Sequence, residues 1–112
     1  MNRVIVESPY AGDVERNLRY VRACMRDCIV NHGESPYASH ALYTQEGVLL
    51  DDIYEERMLG INAGFTWRAA AHMTVVYTDL GISTGMKYGI EHAKKIGHPI
   101  VYRSLGGEWE TT

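Results

Sequence analysis

The sequence contains few residues of the kinds that mark a membrane, secreted or fibrous protein. Only two cysteines and three prolines occur in 112 residues, and the formal net charge is −3. Without a strong basic excess, duplex nucleic acid held through phosphate contacts is not an expected partner. Hydrophobic residues make up 46% of the chain and charged residues 22%. This is the composition of an ordinary globular domain, and it argues against disorder.

No apolar run is long enough to cross a membrane. The apolar stretch Val4-Ile5-Val6 near the N-terminus ends at Glu7, whereas a membrane helix needs about 20 apolar residues. We therefore predict a cytoplasmic protein with no membrane partner. Cys24 and Cys28 lie about one helical turn apart with no second pair. Buried thiols are favoured over a zinc or redox site, and no metal or cofactor is expected.

The best-known nucleotide motifs are absent as well. Neither G-x-x-x-x-G-K-[ST] nor G-x-G-x-x-G occurs, which excludes the P-loop and the dinucleotide fingerprint. A shorter strand-loop-helix stretch is present from Val75 to Met86. Its β-branched run ends at Thr78-Asp79, and Ser83 is the predicted N-cap of the following helix. Free N–H groups at such a helix start favour anionic ligand groups.

The remaining pattern predicts four strands and three helices. Asp13 is the predicted N-cap of the first helix and Gly33 ends it, while Asp52 and Glu55 form a predicted capping box. Gly60 and Gly64 in the middle helix indicate close approach by a neighbouring element or a ligand. We predict strands at 3–8, 35–40, 73–77 and 98–103, and helices at 13–32, 52–71 and 83–97.

These elements alternate as expected for an α/β protein. Right-handed crossovers predict a small three-layer Rossmann-like (flavodoxin-like) domain, with a four-stranded parallel sheet in the order 2-1-3-4 and about three helices. We expect residues 1–105 to form one domain and residues 106–112 a loose C-terminal tail. Ligands in such sheets bind beyond the carboxyl ends of the strands, here between the first and third strands.

The candidate ligand-binding residues are those predicted to lie at this crevice. Some follow the first and second strands, some follow the third strand, and one arginine lies on the middle helix, where it suits a phosphate or carboxylate. Thr44 lies at the same rim, and these side chains are equally compatible with ordinary loop and capping roles. The predicted set is Ser8, Pro9, Tyr10, His40, Tyr43, Arg57, Thr78, Asp79, Ser83, Thr84, Gly85 and Met86.

Three stretches resemble the nucleoside 2-deoxyribosyltransferase superfamily. They are Ser8-Pro9-Tyr10 after the first strand, Val75-Val76-Tyr77 after a long helix, and the run Gly85-Met86-x-x-Gly-Ile-x-x-Ala-x-x-x-Gly-x-Pro that ends at Pro99. The chain is most similar to the small members of bacteriophages and prophages, over residues 3–105. The resemblance implies the predicted fold, and a nucleoside, a nucleotide or an ADP-ribose-like molecule as ligand. Active members cleave or transfer at the N-glycosidic bond of deoxynucleosides or their 5′-monophosphates.

The resemblance also implies two catalytic carboxylates that this chain lacks. A glutamate is expected at position 89 and an acid near position 64, but the chain has Gly89 and Gly64. Glu91 lies two residues beyond the first position and is rotated by about 200° around the helix, away from the site. A carboxylate is needed to take the sugar as a covalent intermediate or to stabilise an oxocarbenium-like transition state. Candidates for a relocated carboxylate are Asp79, Glu56 and Asp52.

Three functional hypotheses follow. The favoured one is a protein that binds a nucleoside- or nucleotide-derived molecule without cleaving it, which for a phage protein in the host cytoplasm would sequester a nucleotide signal. The second is an N-glycosidase or deoxyribosyltransferase with a relocated carboxylate, and the third is a structural or regulatory oligomer. Because two tryptophans and eight tyrosines exceed what so small a core buries, we expect a homo-oligomer.

Overall fold

Four parallel strands form one sheet with helices on both faces. The computed structural model describes residues 1–111. Its elements, in chain order, are β1 (Asn2–Glu7), α1 (Val14–His32), β2 (Glu34–Tyr37), α2 (Ser39–Leu42), α3 (Tyr54–Arg68), β3 (Met73–Tyr77), α4 (Thr84–Lys95), β4 (Ile100–Arg103) and a short 3₁₀ helix (Trp109–Thr111). The strand order is β2-β1-β3-β4, and every neighbouring pair is parallel. The predicted order 2-1-3-4 is confirmed.

Alternating strand residues supply two cores. Val4 and Val6 of β1 and Val75 of β3 pack against α1, together with Tyr20 and Cys24 of that helix. On the opposite face, Val76 packs with Met86 and Ile90 of α4. Because successive strand side chains point to opposite faces, Ile5 and Glu7 turn away from α1. β1 therefore carries Glu7 to the face covered by α3 and α4.

Local signals predicted both ends of α1 and the start of α4 correctly. The Asp13 carboxylate accepts a hydrogen bond from the Arg16 backbone N–H at 3.2 Å, and Gly33 ends α1 with φ of 61°. This left-handed conformation is one that glycine adopts without steric cost. At α4, the Ser83 hydroxyl accepts from the Met86 N–H at 3.3 Å. Cys24 and Cys28 of α1 are buried free thiols, as predicted.

The segment between β2 and β3 differs from the prediction. It contains two helices, because the four-residue α2 precedes α3, and the described chain therefore has four α-helices. The predicted Asp52 cap is wrong: α3 begins at Tyr54 and its N-cap, Ile53, makes no side-chain capping bond. Glu56 instead accepts a hydrogen bond from the Leu50 N–H at 3.1 Å. An acidic residue of the first turn thus holds the preceding loop.

The C-terminal residues contact α1. The Trp109 ring lies 4.9 Å from the Tyr20 ring, edge to face, and Glu110 forms an ion pair with Arg16. Backbone N–H groups of Leu105 and Gly106 donate to Asp79. The division into a domain of residues 1–105 and a loose tail of residues 106–112 stays a prediction, and Thr112 lies outside the described residues.

Candidate functional site

A cavity of about 500 Å³ opens between the carboxyl end of β1, the loop before α1, helices α2 and α3, and the start of α4. It lies on the sheet face that Glu7 reaches. Its volume falls within the range of small-molecule sites, roughly 300–1,000 Å³. The cavity thus lies at the carboxyl end of β1. From the segment after β3, Ser83 and the start of α4 line it, but Thr78 and Asp79 do not.

An ion pair between Glu7 and Arg68 forms the floor of the cavity. Arg68 Nη2 donates to Glu7 Oε2 at 2.6 Å, and the two side chains are 2% (Arg68) and 13% (Glu7) exposed. Arg68 also donates from Nη1 to the Thr74 hydroxyl at 2.7 Å and from Nε to His92 Nδ1 at 3.0 Å. Burial raises the pKa of Glu7 above its ordinary value, and the charge and hydrogen bond of Arg68 offset part of that rise.

Gly89 leaves room for the Glu7 carboxylate. A Cβ atom built on Gly89 would lie 2.5 Å from Glu7 Oε1 and closer still to Oε2. Residue 89 is the position at which the resemblance implies a glutamate. The carboxylate of Glu7, which belongs to β1, lies beside this position of α4. Glu91 is exposed on α4 and does not line the cavity.

The glycines of α3 also permit close packing, as predicted. A Cβ atom on Gly64 would lie 2.7 Å from the Ser39 hydroxyl oxygen, and one on Gly60 would lie 3.2 Å from Leu49 Cδ1. Gly60, Gly64 and Arg68 follow one another at intervals of four along α3. They therefore form one helix face that lets α2 and its loop approach and directs Arg68 to the floor.

Ser8 and His40 are joined across the side of the cavity. The Ser8 hydroxyl oxygen lies 2.6 Å from His40 Nε2. Burial lowers the pKa of His40 to about 4, so the imidazole is neutral near pH 7. A neutral imidazole nitrogen either accepts from the hydroxyl or donates to it, and the pair holds the end of β1 against α2.

Aromatic side chains form another part of the wall. Tyr37 donates from its hydroxyl to the Tyr43 hydroxyl at 2.5 Å, and the Trp67 indole N–H donates to the same oxygen at 3.2 Å. Tyr43 lines the cavity with its position held from two sides. Phe65 also lines the cavity and stacks on His92 with ring centroids 4.1 Å apart. Such rings offer apolar surfaces on which a planar group can stack.

The structure brings most of the predicted binding residues together. Among the described residues, Pro9, Thr78 and Asp79 do not line the cavity. The Thr78 hydroxyl donates a hydrogen bond to the Arg103 carbonyl oxygen at 3.1 Å, so this side chain contacts the end of β4. The predicted residues that do line the cavity are Ser8, Tyr10, His40, Tyr43, Arg57, Ser83, Thr84, Gly85 and Met86.

Asp79 is engaged on the α1 side of the sheet. Its Oδ1 accepts from the Tyr20 hydroxyl at 2.6 Å, and its Oδ2 accepts from the Ser104 hydroxyl at 2.8 Å. Burial by itself would raise the pKa of Asp79, but the hydrogen bonds from Tyr20, Leu105, Ser104 and Gly106 lower it below the ordinary value. This carboxylate fastens the C-terminal segment and is not positioned for a ligand in the cavity.

Of the other carboxylate candidates, Glu56 lines the cavity and Asp52 does not, although its neighbour Asp51 does. Sequence reasoning missed Glu7 and Arg68. Strand alternation was a usable signal for Glu7, since it lies on the face opposite Val4 and Val6. The four-residue spacing from Gly60 and Gly64 was the corresponding signal for Arg68.

The described residues hold neither a cluster of metal ligands nor a membrane-spanning helix. Residues 1–111 contain no group of three or more His, Cys, Asp or Glu side chains arranged to hold a metal ion. Within the same part of the chain, no helix combines the length and apolar character that crossing a membrane requires.

Comparison with known proteins gives a family and a fold. A family model described as "Domain of unknown function (DUF7768)" matches residues 2–103. No curated protein matches the sequence. A solved structure of a 2-deoxyribosyltransferase from the psychrotolerant bacterium Bacillus psychrosaccharolyticus is similar, with a TM-score of 0.68 and 17% identity over 95% of this chain and 74% of that one. The likeness confirms the deoxyribosyltransferase-like fold.

Proposed function

Since the chain belongs to the DUF7768 family and folds like a deoxyribosyltransferase, we propose that it binds a nucleoside- or nucleotide-derived small molecule. The observation that carries this proposal is the cavity of about 500 Å³ at the carboxyl end of β1, closed by α3 and the start of α4. The similar solved protein is described as a biocatalyst for the synthesis of nucleosides. That description supports a nucleoside-like ligand for this cavity.

The lining suits a molecule with a flat part and a polar part. Tyr43 offers a ring surface to a base, while Ser8, Thr84 and Arg57 offer polar groups to a sugar or a phosphate. A few polar groups among apolar walls are typical of small-molecule sites. The ligand therefore gains affinity from stacking and orientation from the polar groups.

The charges of the lining favour a ligand with little negative charge. Two guanidinium groups are outnumbered by three carboxylates, and His40 is neutral near pH 7. A nucleoside or a monophosphate therefore fits better than a polyphosphate, which would meet no excess of positive charge. The charged lining residues are Glu7, Asp51, Glu56, Arg57 and Arg68.

The biological role that we propose is sequestration of a nucleotide signal by a phage-encoded protein in the host cytoplasm. It is supported only by the resemblance to small phage and prophage proteins. We also propose a homo-oligomer, supported by large apolar side chains that are exposed before and on α3, including Leu50 at 56%, Tyr54 at 71% and Leu59 at 61%. Light scattering at micromolar concentration tests this, and a monomer would contradict it.

A second candidate function is N-glycosidic bond cleavage or deoxyribosyl transfer. One observation favours it: the Glu7 carboxylate lies at the cavity floor against Gly89, where the family resemblance implies a catalytic glutamate. Cleavage of an N-glycosidic bond requires a carboxylate close to the sugar carbon that carries the base. In this reading Glu7 on β1 supplies the relocated carboxylate.

One experiment separates the two functions. The protein is incubated with a panel of nucleosides, nucleotides and cyclic nucleotides, and both the supernatant and the heat-released ligand are analysed by chromatography. Stoichiometric recovery of an intact ligand supports binding and contradicts the glycosidase. Free base released over many turnovers supports cleavage. Replacing the cavity residue Arg57 by Gln should weaken binding of a ligand that carries a phosphate. Arg22→Gln, at an exposed position of α1, is the matched control.

A further inference from the structure

One carboxylate oxygen at the cavity floor is left open by the protein. Glu7 Oε2 accepts from Arg68, but no hydrogen bond to Glu7 Oε1 is found among the described residues. Glu7 lines the cavity and its side chain is 13% exposed. Because a carboxylate that is largely removed from water is stabilised by donors, an O–H or N–H group of a ligand would be favoured beside Oε1.

Arg68 does not offer the ligand a competing site. Three of its five N–H groups donate to protein groups, namely to Glu7, Thr74 and His92. The side chain is only 2% exposed, so the other two N–H groups have little access to a ligand. It balances the charge of Glu7 and holds the carboxylate in place. What the floor presents to a ligand is therefore a hydrogen-bond acceptor.

Gly89 is part of the same arrangement. A side chain at residue 89 would collide with the Glu7 carboxylate, because even its Cβ atom would lie 2.5 Å from Oε1. Residues 7 and 89 thus compete for one volume. The carboxylate of Glu7 and a side chain at residue 89 cannot both occupy this volume in the observed arrangement.

We propose that Glu7 determines which end of the ligand enters the cavity. Its Oε1 accepts a hydrogen bond from an O–H or N–H group on an uncharged part of the ligand, such as a sugar hydroxyl or a base amino group. A phosphate group, which carries only acceptors when ionised, is excluded from the floor and directed toward Arg57. This inference rests on the proposed binding of nucleoside-derived ligands.

The test is a thermodynamic cycle between a ligand donor and Glu7. Calorimetry measures binding of the four 2′-deoxynucleosides, of their 5′-monophosphates, and of derivatives of the tightest one. Each derivative is methylated at one place only: the 3′-hydroxyl, the 5′-hydroxyl, or the base amino group, which takes two methyl groups so that no N–H remains. One methylation should weaken binding to the wild type by roughly tenfold or more, as expected for loss of a charge-assisted hydrogen bond. The same methylation should change binding to Glu7→Gln by less than about threefold.

Two further variants are measured, one as a control for folding and one as a test of the shared volume. Glu7→Gln leaves Arg68 without its counter-ion, so Glu7→Gln/Arg68→Met is measured in its place if circular dichroism shows that the single variant is unfolded. Gly89→Ala places a Cβ atom 2.5 Å from Glu7 Oε1, so it should displace the carboxylate and lose the sensitivity to methylation, as Glu7→Gln does.

The outcomes are distinct. If the wild type and the Gln variant respond equally to every methylation, Glu7 does not select the ligand, although the proposed function stands. If no nucleoside or monophosphate binds to the wild type, the proposed function is overturned together with this inference. Loss of sensitivity to methylation in Gly89→Ala supports the shared volume, and a Gly89→Ala variant that keeps the wild-type sensitivity contradicts it.

Discussion

The pair of Glu7 and Arg68 should dominate the response of this protein to single substitutions at the cavity. Arg68 is 2% exposed and its guanidinium lies 2.6 Å from the Glu7 carboxylate. Removal of one partner leaves an uncompensated buried charge, which typically costs about 3–5 kcal/mol. A domain of this size has a free energy of unfolding of about 5–15 kcal/mol. Either Glu7→Gln or Arg68→Met should therefore remove a large share of the stability.

The two single variants should differ in their dependence on pH. In Arg68→Met the Glu7 carboxylate loses its counter-ion, so its pKa rises further. Lowering the pH from 7 to 5 then favours the protonated form of Glu7 in the folded state, which reduces the penalty. In Glu7→Gln the penalty falls on Arg68, and no carboxylate remains beside it to be protonated. That penalty should be the same at both pH values.

Urea denaturation followed by circular dichroism measures these differences. The double variant Glu7→Gln/Arg68→Met, which buries no unpaired charge, should cost clearly less than the sum of the single variants. Glu91→Gln on the exposed face of α4 is the matched control and should change the free energy of unfolding by no more than about 0.5 kcal/mol. Additive costs, or a single-variant cost below about 1 kcal/mol, would refute the reasoning.

Three other predictions concern the cavity. His40 is protonated near pH 6.5 in the unfolded chain but only near pH 4 in the folded protein. The free energy of unfolding should therefore fall as the pH drops between these values, by at most about 3 kcal/mol. His40→Gln should make the free energy of unfolding depend less on pH in urea titrations, and an unchanged dependence would contradict burial of a neutral imidazole. Gly64→Ala places a Cβ atom 2.7 Å from the Ser39 hydroxyl and should lower the free energy of unfolding by about 1–3 kcal/mol, although alanine has the better helix propensity. Adding Ser39→Gly should restore the lost stability. A Gly64→Ala variant more stable than the wild type would mean that α2 can move away at little cost. Arg57→Gln should weaken calorimetric binding of a 5′-monophosphate but not of the corresponding nucleoside, whereas Arg22→Gln should affect neither, and equal losses for both ligands would place the phosphate elsewhere.

The sequence by itself determined the features that depend on residues close together in the chain. The end of α1 at Gly33 and the N-caps Asp13 and Ser83 were predicted correctly because a cap is a hydrogen bond within one helical turn. β3 was predicted with its observed bounds, since a β-branched run has few other interpretations. The strand order also followed, because right-handed crossovers leave few topologies for alternating strands and helices.

Only the tertiary structure decided what lies at the floor of the cavity. Glu7 and Arg68 are 61 residues apart, and in the sequence each is a charged residue at the end of an element, which is usually a solvated position. Asp79 is the opposite case: it follows the best-predicted strand and was expected to bind a ligand, but it accepts hydrogen bonds from Tyr20 and Leu105 within the protein. The partners of a charged side chain depend on which elements pack beside it, and periodicity and capping carry no information about distant partners.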